Sequence, residues 1–118
     1  MTDFAWKLVD QTEWVSALET GAYAGSTVDL ADGYIHMSSA AQLPETARRH
    51  YARRTNLVLV KVDLRPLGEA LKWEASRGGD LFPHLYAPLP TAVALDERRL
   101  AVDAQGVMQF EDGTTGWP

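Results

Sequence analysis

The run Leu57-Val58-Leu59-Val60-Lys61-Val62 constrains this chain more than any other segment. A strand with one wet face alternates polar and apolar residues, and this run hardly alternates at all. It predicts a central strand covered by other structure on both sides. At 118 residues the chain has room for one domain, which buries roughly two-thirds of the surface that the unfolded chain exposes.

Around that strand the sequence reads as α+β. Residues 5–9 look like a first strand. Asp10 is a candidate N-cap, with Glu13 completing a capping box, and a helix is expected over residues 11–20, stopped by Gly21. Residues 22–33 read as turns, and residues 34–38 as a short strand. Ser39 and Gln42 form a second capping box for a helix running to about Arg54, with Leu43, Ala47 and Tyr51 as its buried stripe. Residues 71–75 resume as strand with Trp73 in the core, residues 76–80 are a flexible loop, and Pro83 suits an edge strand or a site-lining segment. Residues 92–95 and 99–102 are expected as separate late strands, and residues 103–118 as a weakly specified tail. Two main helices without regular βαβ alternation imply a small mixed or antiparallel sheet.

Composition excludes several functions. No cysteine is present, so disulfides and thiolate chemistry are absent. A net charge of −5 argues against indiscriminate binding to nucleic acid or anionic membrane. No stretch approaches the ~20 apolar residues of a membrane span. The N-terminal residues lack a signal-peptide pattern, so a cytoplasmic location is expected. Arg48, Arg49, Arg53 and Arg54 cluster on the second helix; they read either as a solvated face or as a phosphate-binding group.

Two histidines mark the candidate site. Tyr34, His36 and Ser38 fall on one face of their strand, and His84 lies in Phe82-Pro83-His84-Leu85-Tyr86. Imidazole exchanges protons near neutrality, which makes His36 and His84 candidate catalytic groups opening onto one cleft. Glu74 is the carboxylate placed to orient an imidazole or a ligand hydroxyl. Tyr34, Ser38, Tyr86 and Arg49 are the candidate ligand contacts, and His50 has no assigned role. No P-loop, GxGxxG, GxSxG or HExxH is present. The spacing of the histidines and Glu74 is not a recognised metal pattern, so no metal is expected.

Asp32-Gly33-Tyr34-Ile35-His36-Met37-Ser38-Ser39, Gln42, residues 57–63, Trp73-Glu74 and Phe82-Pro83-His84-Leu85-Tyr86-Ala87-Pro88-Leu89 together resemble the bacterial and plant family called domain of unknown function 952. The resemblance spans about residues 5–102. The family carries no established activity. Its fold is similar to that of the ADP-ribosyltransferases, including the tRNA 2′-phosphotransferases that use NAD, and so the resemblance implies a cleft between two small sheets.

Three readings follow. The first is a protein handling a nucleotide-type ligand, with NAD a candidate, in a cleft lined by His36, Ser38, His84 and Tyr86, the arginine helix holding the pyrophosphate. The second is a non-catalytic small-ligand binding module. The third is an accessory domain whose histidines form an internal polar network.

Overall fold

The structure, a computed structural model, describes residues 3–114. In chain order its elements are β1 (Phe4–Asp10), α1 (Gln11–Thr20), β2 (Ala22–Tyr23), α2 (Thr27–Asp32), β3 (Ile35–His36), α3 (Leu43–His50), β4 (Leu57–Asp63), β5 (Leu71–Ala75), β6 (Leu81–Leu85), β7 (Leu89–Pro90), β8 (Ala94–Val102) and β9 (Met108–Phe110). The fold is α+β, and every described strand pair is antiparallel. One sheet has the order β1-β4-β8-β9, a second the order β3-β6-β5, and β2 pairs with β7.

The apolar run explains itself once both faces of β4 are followed. Val58, Val60 and Val62 point into one core with Trp14 and Ala17 of α1, Tyr23, the second sheet's Ile35 and Leu85, and Met37 just after β3. Leu57 and Leu59 point into another with Leu43 and Ala47 of α3, Leu100, Met108 and Phe110. Helix α1 begins at Asp10, whose side chain accepts from the Glu13 N–H, and ends at left-handed Gly21. Glu97 of β8 accepts from the Trp14 indole at 2.7 Å and pins the helix to the sheet.

Several expectations are corrected. Residues 22–33 are not only turns: β2 and α2 lie there, and Ser26 and Asp29 make a reciprocal capping box. The strand at residues 34–38 is reduced to Ile35 and His36, plus an isolated bridge from Ser38 to Trp6. Ser39 and Gln42 do bond reciprocally, but the regular helix runs only from Leu43 to His50. The 76–80 loop contains a 3-10 turn at Arg77–Gly79. Pro83 lies in the middle strand of its sheet, and Met37 N–H donates to its carbonyl just where β3 ends. The two late strands are one, β8, and the tail contributes β9, whose Met108 and Phe110 are buried. Trp73 is half-buried and packs against the core that holds Val58, Val60 and Val62. No described helix is long and apolar enough to cross a membrane.

Candidate functional site

The two larger sheets meet edge to edge. Trp6 of β1 and Ser38, just after β3, exchange backbone hydrogen bonds of 2.8 and 3.0 Å. A cleft of ≈ 510 Å³ opens beside this bridge, walled by β1, α2, β3, α3, β6 and the β5–β6 turn.

His36 and His84 are direct register partners of β3 and β6, with ring centroids 5.6 Å apart, and both line the cleft. Tyr34 stacks on His84 at 4.1 Å and leans on His36 at 4.5 Å. Burial first, then the carboxylates of Asp32, Glu74 and Asp29, push the Tyr34 hydroxyl above its ordinary pKa.

The histidines have different partners. His36 Nδ1 lies 2.6 Å from Asp29 and Nε2 lies 2.9 Å from Asp32. A neutral imidazole donates from one nitrogen only, so both carboxylates are served together only when both nitrogens carry protons. Asp29 is 2% exposed and also takes Lys7 Nζ at 3.1 Å and the backbone N–H groups of Ser26 and His36. Burial works to raise its pKa, but the His36 bond, the Lys7 charge and the two backbone donors outweigh burial and hold the carboxyl well below its usual range. Lys7 is 4% exposed and shares its strand face with Ala5 and Val9, so its ammonium depends on Asp29. Gly25 permits the approach: at φ +114, a Cβ there would stand 2.8 Å from Asp29 Cβ.

His84 is braced on one side only. Its Nδ1 lies 2.8 Å from Glu74 Oε1, which also accepts from the Tyr86 hydroxyl at 2.7 Å. The Tyr86 bond and then the His84 bond hold Glu74 below the usual carboxylate range, and Glu74 in turn pushes the Tyr86 hydroxyl up to about 12. With Glu74 ionised, Nδ1 carries a proton, and in the neutral ring Nε2 then presents its lone pair. Nε2 has no hydrogen-bond partner among the described residues, and no buried side-chain nitrogen or oxygen there is left unpartnered, so Nε2 reaches the cleft.

Of the residues singled out in the sequence, His36, His84, Tyr34 and Ser38 therefore line one cleft. Ser38 is buried and bonded to Thr46 at 2.8 Å. Glu74 and Tyr86 stand behind His84 rather than on the cleft wall. Arg49 is not part of the wall; its Nε donates to Glu45 at 2.9 Å. Sequence reasoning does not reach Lys7, Asp29, Asp32, Thr46 or Arg77. The Ser26-x-x-Asp29 spacing, a helix-opening pattern, is the signal for Asp29; the burial of Lys7, 22 residues away from it in sequence, leaves no local trace. Among the described residues, no group of three or more His, Cys, Asp or Glu side chains is spaced to hold a metal ion.

The structure is that of a small antiparallel α+β protein with a paired-histidine cleft. Its chain belongs to the family described as "Protein of unknown function (DUF952)", whose profile matches residues 8–96. The chain is similar to protein CC0527 from Caulobacter crescentus. The crystal structure of that protein is 49% identical with a TM-score of 0.85, over 90% of this chain and 93% of that one. Its solution NMR structure is 48% identical with a TM-score of 0.77, over 89% and 90%. No curated protein matches the chain.

Proposed function

We propose that the cleft binds a nucleotide-type small molecule, NAD among the candidates, and that His84 exchanges a proton with it. The observation that carries this reading is the one-sided bracing of His84: Glu74 orients the ring while Nε2 faces an open cavity. Tyr34 offers an aromatic face beside it, and Ser38 and Thr46 offer hydroxyls to a ribose or phosphate. NAD is a candidate among nucleotides because the family that the sequence resembles is similar in fold to the ADP-ribosyltransferases, in which a cleft between two sheets takes the dinucleotide.

His36 supports a second role within the same site. With both ring nitrogens on carboxylates, it ties α2 to β3 as a structural network does. In this reading His36 positions the wall and His84 meets the ligand.

The test is a thermal-shift screen against NAD, NADP, ADP-ribose and common nucleotides. A ligand that binds only the native state adds about 2.7 kcal/mol at ~100-fold excess over its Kd. The expected result is a hit that weakens in His84→Asn while the unliganded melting temperature changes little. Silence across the screen, or a hit indifferent to His84, overturns the reading.

A further inference from the structure

The cleft is uneven in charge. Its carboxylates are Asp29 and Asp32, matched by Lys7 and His36, and Glu13, which accepts from the Tyr23 hydroxyl. The wall built by α3, the segment after it and the β5–β6 turn carries His50, Arg54 and Arg77, and neither arginine makes an ion pair among the described residues. In a chain with 16 acidic and 11 basic residues, Arg48, Arg49, Arg65 and Arg98 each rest on a carboxylate. Arg53 and Arg99 make no such pair either, but they do not line the cleft.

The unpaired cations are held in place by other means. Arg77 lies over the Phe82 ring at 4.9 Å, and its Nη2 donates to Thr46 at 3.4 Å. That leaves most of its five N–H donors unspent, with the plane of the fork already set. Arg54 stacks on Tyr51 at 5.1 Å. His50 lies one helical turn beyond Thr46, on the same side of α3. Burial first, and then the charges of Arg77 and Arg49, push its pKa below the histidine norm. A bound anion would offset those neighbouring positive charges.

We propose that Arg77, Thr46 and His50, with Arg54 as a further cation of the same wall, form a subsite for the phosphate or pyrophosphate group of the ligand. This rests on the nucleotide reading above and divides the cleft: the anion sits against α3 and the β5–β6 turn, and the Tyr34–His84 pair is left for the part of the ligand that reacts.

The experiment is a titration of the full chain with inorganic pyrophosphate, followed by NMR, in the wild type, Arg77→Gln, Arg54→Gln and the control Arg49→Gln. Melting temperatures confirm that each variant folds, and Arg77→Lys separates charge from fork geometry. Expected are shifts at the amides of residues 46, 50 and 77, and a loss of affinity of roughly tenfold or more in Arg77→Gln, the worth of a charge-assisted bond. Arg49→Gln should stay within about twofold, since a change of one charge outside the subsite alters only the long-range field. Unchanged affinity in Arg77→Gln, an equal loss in Arg49→Gln, or shifts confined to other residues overturns the subsite. Pyrophosphate that depends on Arg77 while no nucleotide binds sustains the subsite and overturns the nucleotide reading. A nucleotide that binds wild type and Arg77→Gln equally does the reverse.

Discussion

Asp29 does three jobs with one carboxylate: it caps α2, neutralises the buried Lys7 and holds His36. Its neighbours therefore differ sharply in what their removal costs. His36→Ala takes away a 2.6 Å bond from a buried carboxylate and is expected to cost ~1–3 kcal/mol. His84→Asn leaves only the half-buried Glu74, which keeps Tyr86, and should cost less than His36→Ala in denaturant melts. Equal losses in the two variants would mean that both histidines are structural. Acid stability follows from the same residue. In the unfolded chain Asp29 titrates near the ordinary carboxylate value of about 3.9, and in the folded chain it titrates lower. Its contribution is therefore present above the unfolded value and is lost as the pH falls through it toward the depressed one. Asp29→Asn should be less stable than wild type at neutral pH, with a shallower loss of stability between about pH 5 and pH 3; parallel curves would rule out Asp29 as the source.

Elements with a local signature could be read directly from the sequence. Helix α1 and strand β5 have the bounds expected, the helix because Asp10 and Gly21 flank it and the strand because it lies between glycine-bearing turns. The charged stretch Asp96-Glu97-Arg98 divides strand β8 into two pieces in the sequence; β9 reaches only Leu100–Val102, so the first half of β8 is an open edge where charge belongs. Strand β9 itself depends on a turn that packs against α3. Gly106, at φ +82, would place a Cβ 2.5 Å from Arg48 Cα, so Gly106→Ala should destabilise by more than the ~1 kcal/mol of an ordinary glycine replacement. An unchanged melting temperature would show that the turn is free of the helix. Trp73 is only half-buried, so Trp73→Ala should cost roughly 2 kcal/mol rather than the ~3–5 of a fully enclosed tryptophan. The site was legible in its histidines, tyrosines, Ser38 and Glu74, whose residue types advertise chemistry. Lys7 and Arg77 stayed hidden because only the fold decides that one lysine is buried and one loop arginine faces a cavity.

Across the whole molecule, protection should follow pairing. Strand β4 is flanked by β1 and β8 and covered on both faces, whereas β3 has two residues and α2 six. Amide exchange is expected to be slowest in β4 and to begin in α2 and β3; uniform rates would argue against a graded stability. Among the described residues, the two larger sheets share backbone hydrogen bonds only at Trp6 and Ser38. Elsewhere they meet through side chains, which shift past one another at lower cost than a ladder of hydrogen bonds breaks. With one backbone joint, the angle between the two plates rests on the side-chain core they share. A molecule touching both walls of the cleft would add a second rivet.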